Sequence, residues 1–360
     1  MSAPPNEFAQ EILRGSAHAL ASDAALRMLE RDPGVSDRWG QPAFAHWVEN
    51  LESRLAILAA ALGSGEPDAL RRSVAWARVA FHSRNAPEHD LRLSLECLRS
   101  VLDADLPPMA RDAAVRALDA SLAEFDTPYT EPPSFLSVET PRGALAARYL
   151  ATLLEGNRRS AIKLITDATA NGLAPLEAYE QVLEPVQREL GRMWLAGEIH
   201  VGEEHFATAT TLQVMAQVYA HAVASMPEGT GKRVLAAAVD GNLHEIGVRM
   251  IADVFELEGW SSIYLGASIP APDLARSVRD FRVDLIALSV ALPLQLGSAK
   301  ETIAHLRADP ELASIPIILG GGGLLELPDA WRSLGADGFA RTAREAVELG
   351  RSLTGSKGSG

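Results

Sequence analysis

Short apolar runs alternate with helical stretches from residue 228 onward, and this alternation constrains the fold more than any other feature of the chain. The runs cover 234–239, 261–265, 285–289 and 316–319, and a last one near 338–340 precedes a helix at 342–353. Strands buried on both faces have continuous apolar runs, and their alternation with helices is typical of parallel sheets. We therefore predict a five-stranded, doubly wound (Rossmann-like or flavodoxin-like) domain with its ligand at the carboxyl ends of the strands.

The chain ahead of this domain is predicted to be helical. Apolar residues recur at spacings of three and four in residues 1–125, which indicates an N-terminal helical domain. Four prolines in 126–141 indicate a semi-rigid linker. Four helical segments with short turns in 142–227 predict a four-helix bundle that caps the α/β domain of 228–354. Residues 355–360 form a flexible tail, and the fold class is helical followed by α/β.

Composition excludes several classes of function. The formal charge is 33 − 47 = −14, which argues against a nucleic-acid partner because phosphate binding needs a basic face. Cys97 is the single cysteine, which excludes an internal disulfide and a cysteine-built metal site. The N-terminus lacks the pattern of a secretory signal, and the uncharged stretch 206–227 is too polar for a membrane span. We expect a cytoplasmic protein without a membrane partner.

Polar and glycine residues follow the predicted strands at the edge where the ligand is expected. The loop after the first strand reads Asp-Gly-Asn-Leu-His-Glu-Ile-Gly (240–247) and carries His244. Ser289 ends the third strand, and four glycines (320–323) follow the fourth. Glycines remove side chains that would otherwise fill this space, which indicates a slot. The pattern differs from the G-x-G-x-x-G of dinucleotide-binding folds.

Residues 231–345 resemble the cobalamin-binding domain of methionine synthase and of the base-off mutases. The resemblance rests on Asn242-x-His244-x-x-Gly247, on Ser289-Val290-Ala291 and on Gly320-Gly321. It implies that His244 ligates cobalt from below in place of the cofactor's benzimidazole, whose nucleotide tail inserts beside Ser289 and the glycines. Imidazole is a good ligand for cobalt. The cofactor contacts implied in this domain are Asn242, Leu243, Glu245, Ile246, Gly247, Ser289, Ala291, Gly320, Gly321 and Gly322.

Two positions depart from that family's pattern. Asn242 replaces an aspartate, so His244 has a neutral hydrogen-bond acceptor beside it and is expected to be a weaker donor to cobalt. Ala291 replaces a larger or hydroxyl-bearing residue after Ser289-Val290.

The helical segment ahead of the α/β domain resembles the cap of the cobalamin-dependent light-sensing repressors. Trp194 is followed after nine residues by Glu204-His205, as in that family. The resemblance implies that Trp194 covers the 5′-deoxyadenosyl group, that Glu204 hydrogen-bonds it, and that Val201 and His205 also line the site. A histidine that captures cobalt after light is replaced here by Leu195, so we expect water as the simpler sixth ligand.

Residues 1–125 do not resemble the DNA-binding domain of those repressors, because they contain no strand pair and no basic recognition helix. The order of helical domain, linker, cap and cobalamin domain resembles the photocobilins, which combine adenosylcobalamin with biliverdin. A tetrapyrrole with two propionates favours arginines and aromatic rings. Candidate contacts, each equally compatible with ordinary core packing, are Trp39, Trp47, Trp76, Arg78, Phe81, His82, Arg84, Tyr129 and Phe135. Cys97 is either a covalent bilin attachment point or a small buried residue.

These features together predict a light sensor and not an enzyme. We expect adenosylcobalamin bound through His244, biliverdin as a second pigment, a light-dependent homo-oligomer and a separate downstream signalling protein. Two alternatives remain open from the sequence. One is a corrinoid carrier for a methyltransferase, and the other is a cobalamin sensor without photochemistry.

Overall fold

The computed structural model of the chain describes residues 5–65, 68–223, 229–325 and 329–355. These residues divide into two compact units. The first ends at Glu131 and also takes in Leu292–Gly297 and the described residues of 326–334, and the second holds the remainder from Pro132. The predicted domain boundary at 227/228 and the predicted tail, apart from Gly355, lie outside the described residues. None of the described helices is long and apolar enough to cross a membrane.

The first unit is helical, and its helices bury the apolar positions that recur at spacings of three and four. Helix α6, for example, buries Leu91, Leu95, Leu98 and Leu102 on one face. The described helices of residues 5–122 are α1 (Pro5–Gly15), α2 (Ala17–Arg31), α3 (Gly34–Trp39), α4 (Ala43–Ser64), α5 (Asp68–Ser83), α6 (Glu88–Asp105) and α7 (Pro108–Leu122). A 3₁₀ turn at Ala123–Asp126 ends the series.

The second unit begins with the cap, whose helices start at capping side chains. Thr140 and Asn157 accept backbone N–H bonds at the first turns of two of these helices. The helices are α8 (Pro141–Leu154), α9 (Arg158–Ala170), α10 (Pro175–Ala178), α11 (Glu184–Leu195) and α12 (Val201–Ala222).

The predicted continuous helix at 175–193 is interrupted by a π-helical turn at Tyr179–Leu183. Glu184 N–H bonds the carbonyl of Tyr179, five residues earlier. Pro185 follows, and proline has no N–H to bond the preceding turn. The wider turn therefore lies directly before Pro185, the proline in the interior of this segment.

The α/β domain confirms the predicted fold class. All strand pairs are parallel, and the order is β2-β1-β3-β4-β5. The strands are β1 (Arg233–Val239), β2 (Ser261–Ile269), β3 (Leu285–Ser289), β4 (Ile317–Gly320) and β5 (Gly338–Phe339). The helices are α13 (Glu245–Leu257), α14 (Ala271–Phe281), α15 (Leu296–Ala308), α16 (Gly322–Leu325), α17 (Ala330–Leu334) and α18 (Ala343–Gly355). β2 is longer than the predicted 261–265.

Strand order places a topological switch point at the ends of β1 and β3. The chain leaves β1 for β2 on one side, whereas β3 pairs with the other side of β1. Ala238 near the end of β1 is in register with Ser289, the last residue of β3. Ligands of open parallel sheets bind at such points because the loops diverge there.

Candidate functional site

The loop after β1 is held in shape by Asn242, whose side chain is fully buried. Its Nδ2 donates to the Ser289 carbonyl at 3.0 Å, and its Oδ1 accepts from the His244 backbone N–H at 3.0 Å. The amide thus joins the end of β3 to the loop that carries His244. A carboxylate could make the second of these bonds but could not donate the first.

The same Asn242 oxygen orients the imidazole of His244. His244 Nδ1 lies 3.2 Å from Asn242 Oδ1, and the His244 side chain is exposed at the N-terminus of α13. Because Oδ1 can only accept, Nδ1 carries the proton and the lone pair is on Nε2. A neutral imidazole with an available Nε2 is the form that ligates a metal.

The surface beside His244 is apolar and open. Leu243 is 76% exposed. A Cβ built on Gly247 would meet no heavy atom within 4 Å, so the protein's own packing does not demand glycine there. Ile246 is half-buried against the core of this unit, and the Glu245 carboxylate accepts from the Tyr264 hydroxyl at 3.0 Å. This arrangement would admit a large flat ligand against the start of α13, and His244 Nε2 would be the residue atom that holds its metal.

The glycines after β4 allow their backbone to contact the backbone of the segments after β3 and β5. A Cβ on Gly321 would lie 2.4 Å from the Val290 carbonyl oxygen, and Gly321 has φ +104°. A Cβ on Gly322 would lie 3.0 Å from the Ala291 oxygen, and one on Gly320 would lie 3.2 Å from the Ala340 oxygen. The sequence indicated a slot here, and the structure adds that the loop after β4 touches the segment after β3.

The residues that the sequence analysis assigns to the adenosyl group lie at two helix ends of the cap. Trp194 is in the last turn of α11 and is 42% exposed, and Val201 begins α12 and is 55% exposed. The Glu204 carboxylate lies 2.6 Å from His205 Nδ1 and accepts from the Thr208 hydroxyl at 2.7 Å. Large apolar side chains are exposed here although the bundle core is fully packed, which is typical of a binding surface.

The loop that joins these two helix ends is fixed by Arg192. Its guanidinium donates to both oxygens of Glu198 at 2.7 and 3.0 Å and to Glu189 at 3.0 Å. Glu189 in turn accepts from the Phe135 backbone N–H at 2.7 Å. The nearby His200 caps α12 through Nδ1, so it has a structural role in the loop.

A chain of polar contacts that the sequence analysis missed runs from the His244 loop to the cap. The Tyr264 ring, bonded to Glu245, lies 5.3 Å from the Arg249 guanidinium. Arg249 donates to Asp253 at 2.8 Å, and the other oxygen of Asp253 accepts from the Tyr179 hydroxyl at 2.9 Å. Burial raises the pKa of Tyr179, so the hydroxyl keeps its proton and remains a donor. In the sequence, the signal for these contacts was the spacing of four residues between Arg249 and Asp253 on the apolar helix α13.

A second hydrogen bond, besides that of Tyr179 to Asp253, joins the π-helical turn to the α/β domain. Glu180, beside Tyr179, accepts from the backbone N–H of Arg344 at 3.3 Å. Both contacts leave the cap from this single turn and reach α13 through Asp253 and α18 through Arg344, which makes the turn a polar junction between the bundle and the α/β domain.

The predicted bilin candidates of the first unit do not form one site. Trp39, Trp47 and Phe81 pack together, with ring centroids 5.1 to 6.2 Å apart, and Cys97 is buried. Trp76 is exposed, His82 stacks on Tyr129 at 4.0 Å, and Arg84 donates to its own helix. Phe135 belongs to the second unit, where Arg188 lies over its ring.

Arg78 lines an open cavity of ≈ 390 Å³ together with Glu88, His89, Arg92, Phe125, Thr127, Pro128 and Tyr129. Each nitrogen of its guanidinium already donates one hydrogen bond, Nε to Glu88 and the other two to the carbonyls of Glu124 and Thr127. Asp32, His89 and Asp90 lie close enough to hold a metal. The buried Asp90, however, accepts from Arg38 and from Trp39 Nε1, which compensates its charge.

Comparison with known proteins identifies B12-binding domains in this chain. Two families described as B12 binding domain match residues 232–349 and 145–219. The HTH-type transcriptional repressor CarA of Myxococcus xanthus is 32% identical over 227 residues, which cover 61% of this chain and 71% of CarA. A corrinoid protein of Desulfitobacterium hafniense is 26% identical over 207 residues, which cover 56% of this chain and 94% of that protein.

Among solved structures, the monomethylamine corrinoid protein of Methanosarcina barkeri matches with a TM-score of 0.52 and 17% identity. The match covers 58% of this chain and 98% of that one and reports on the fold alone. Fold and family matches define a protein that binds a corrinoid. The chain belongs to the family of B12-binding proteins, and its cofactor is a cobalamin.

Proposed function

We propose that this protein is a cytoplasmic light receptor that binds adenosylcobalamin with His244 as the lower cobalt ligand. When bound, adenosylcobalamin supplies a cobalt–carbon bond that light can break. His244 Nε2 holds the metal from the sheet side, and Asn242 fixes the ring and its tautomer. Trp194 and Val201 cover the adenosyl group from the cap, and Glu204 and His205 bond its polar edge.

The observation that carries the proposal is the exposure of Trp194 at the end of a helix whose other apolar residues are buried or half-buried. Trp194 and Glu204 also keep the spacing of the cap that the light-sensing repressors share. Loss of a group that covers this surface would let the cap repack against the α/β domain. The Tyr179–Asp253 bond would transmit that movement to α13.

The experiment reconstitutes the full chain with adenosylcobalamin in the dark, removes the excess, and records absorption spectra before and after green light. We expect retained cofactor and loss of the alkylcobalamin bands. His244→Ala is expected to lose the spectral signature of histidine ligation, and His221→Ala, which changes an exposed histidine in the last turn of α12, is expected to keep it. Unchanged photochemistry in His244→Ala would contradict the ligation.

We further propose that biliverdin binds to the first unit as a second pigment. The support is the clustered indole and phenyl rings of Trp39, Trp47 and Phe81 in a helical unit that accompanies a cobalamin domain. The measurement is a shift of the biliverdin absorption bands on mixing with the purified protein. An unshifted spectrum would remove this pigment and leave the cobalamin proposal intact.

The rival function is a corrinoid carrier for a methyltransferase. It is favoured by the match to a corrinoid protein over 94% of that protein's length. A carrier is expected to prefer methyl- or hydroxocobalamin and to retain adenosylcobalamin equally well in Trp194→Ala. A cobalamin sensor without photochemistry would bind through the same residues but keep the same oligomer size in dark and light.

The receptor proposal assigns no enzymatic step to the chain. Its output is a light-dependent change in self-association that a separate signalling protein reads.

A further inference from the structure

The segment that leads from the first unit into the cap is held against α11 by two neighbouring residues of that helix. The Phe135 backbone N–H donates to Glu189 Oε2 at 2.7 Å, and the Arg188 guanidinium lies 4.8 Å from the centre of the Phe135 ring. Leu136 packs against the apolar core of the second unit. We call residues 132–137, which form part of the predicted linker, the strap.

The end of the strap nearest the cap is fixed by a glycine. A Cβ on Gly143 would lie 1.7 Å from the Ser137 carbonyl oxygen, so the first turn of α8 admits the strap only because this position has no side chain. Earlier in the strap, Pro133, Ser134 and Phe135 are exposed. The cap therefore holds this earlier part through few groups, and the bond to Glu189 is the charged one among them.

Glu189 connects the strap to the loop between α11 and α12. Its side chain is buried, and Oε1 accepts from Arg192 Nε at 3.0 Å while Oε2 accepts from the strap. Arg192 is buried as well and donates to both oxygens of Glu198 in that loop. Trp194 and Val201, the surface assigned to the adenosyl group, lie at the two ends of the loop. A continuous row of charged hydrogen bonds thus runs from the loop to the strap.

The charge of Glu189 is balanced only while Arg192 stays beside it. Burial alone would raise the pKa of Glu189, but hydrogen bonds from Arg192 and from the Phe135 N–H outweigh burial and hold the pKa below its usual range. A buried carboxylate that loses its cationic partner is costly, so it turns toward water or takes up a proton. Either change weakens or removes the acceptor of the Phe135 N–H.

We propose that the strap is bound to α11 while the adenosyl group covers Trp194 and Val201 and is released when that group leaves, with Glu189 as the coupling residue. The inference rests on the proposed function, because the adenosyl group supplies the difference between the two states. Without that group the loop shifts, and Glu198 draws Arg192 away from Glu189. The state of the cofactor then reaches the segment that joins the first unit to the cap.

The test measures chymotrypsin cleavage after Phe135 in the full chain, because this protease cuts after aromatic residues and a bound segment resists it. Protein with adenosylcobalamin is compared in the dark and after green light, and protein with hydroxocobalamin, which has no adenosyl group, is added in the dark. We expect cleavage about tenfold faster after light and with hydroxocobalamin, because a charged hydrogen bond to the strap is lost. Hydrogen exchange in a peptide of residues 130–137 should rise in the same samples, since the Phe135 N–H is the donor.

Two substitutions separate coupling from simple stability, because they are expected to act in opposite directions. Glu189→Gln removes the charge that keeps Arg192 in place, so cleavage should be fast in both dark and light. Glu198→Ala removes the contact through which the loop draws on Arg192, so cleavage should be slow in both. Glu258→Gln, which removes a carboxylate paired with Arg351 in the α/β domain, is the control and should keep the light dependence.

Absorption spectra of each sample show whether it retains adenosylcobalamin and loses the alkylcobalamin bands in light. Equal cleavage of the wild-type protein in dark and light, with photolysis seen in the spectra, would overturn the strap and leave the light receptor standing. Faster cleavage in both Glu189→Gln and Glu198→Ala would indicate a purely structural row and would also overturn it. The wild-type comparison decides the proposal even if a variant does not fold. If the wild-type protein shows no retention or no photolysis, the light receptor and the strap both fall.

Discussion

At the scale of single residues, the site depends on an amide where related cobalamin domains carry a carboxylate. Asn242 donates to the Ser289 carbonyl and accepts from His244. We expect Asn242→Asp to lower the free energy of unfolding by about 2 kcal/mol, because a buried carboxylate would face a carbonyl oxygen. Urea unfolding of the apoprotein measures this change.

Asn157→Asp is the matched control for that substitution. Asn157 caps α9 and only accepts, from the Ser160 N–H, and aspartate caps a helix equally well. It should leave the unfolding midpoint unchanged. Equal stability of Asn242→Asp and wild type would mean that the hydrogen bond from the Asn242 side chain to the Ser289 carbonyl is not needed to shape the loop.

His244 and Trp194 could be named from the sequence because each lies in a spaced motif. Asp253 could not, since its importance depends on burial and on a partner far away in the chain. Asp253 meets Tyr179 across 74 residues, and no local pattern encodes such a contact. The glycines after β4 were found as a group, but only the structure places the Val290 carbonyl against Gly321.

At the scale of elements, the π-helical turn is the polar junction between the cap and α13. We expect Tyr179→Phe to lower the free energy of unfolding by about 2 kcal/mol, because Asp253 loses a donor while still buried. If the Tyr179–Asp253 hydrogen bond transmits the movement of the cap to α13, the variant should keep adenosylcobalamin and its photochemistry. It should then lose the light-dependent change in oligomer size. Spectra and light scattering on the same sample separate the two readouts.

Tyr149→Phe controls for the loss of a buried hydroxyl. Tyr149 bonds Thr211 at 2.9 Å within the bundle, so its removal should cost about 1 kcal/mol and leave the light response intact. A light response lost equally in both variants would indicate a general loosening of the bundle and would contradict a specific junction at Tyr179.

The loop between α11 and α12 gives a second prediction at this scale. Arg192→Lys removes the bidentate hydrogen bond to Glu198. This bond fixes the loop that sets the positions of Trp194 and Val201 relative to each other. We expect adenosylcobalamin to dissociate about tenfold faster, while hydroxocobalamin, which has no adenosyl group, dissociates at the wild-type rate. Arg142→Lys is the control, since Arg142 bonds a single oxygen of Glu177. Equal effects on both cofactors would instead indicate a damaged fold.

The elements themselves were largely predictable. Buried parallel strands such as β1 have continuous apolar sequences, and six of its seven residues are buried as that pattern requires. The extension of β2 to Ile269 was missed because its last residues, Gly-Ala-Ser-Ile, carry weak strand propensity and lie beside the site. The π-helical turn was missed because periodicity alone does not separate it from an ordinary helix.

At the scale of the whole molecule, the proposed output is a change in self-association. A net charge of −14 opposes the approach of two copies at low salt, whereas an apolar surface such as that of Trp194 and Val201 favours it. The two effects differ in their response to ionic strength. Salt screens the repulsion but leaves burial of apolar surface almost untouched.

We therefore expect the molar mass of the adenosylcobalamin-loaded protein to differ between dark and green light. The state with the larger mass should gain further mass as salt rises to about 0.5 M, where the Debye length falls below about 5 Å. Size-exclusion chromatography with light scattering measures both effects. Trp194→Ala should show one mass in dark and light, because the surface that the adenosyl group covers is already altered. A light-dependent mass that shrinks with salt would point to contacts between opposite charges, and the apolar cap surface would then not be the interface.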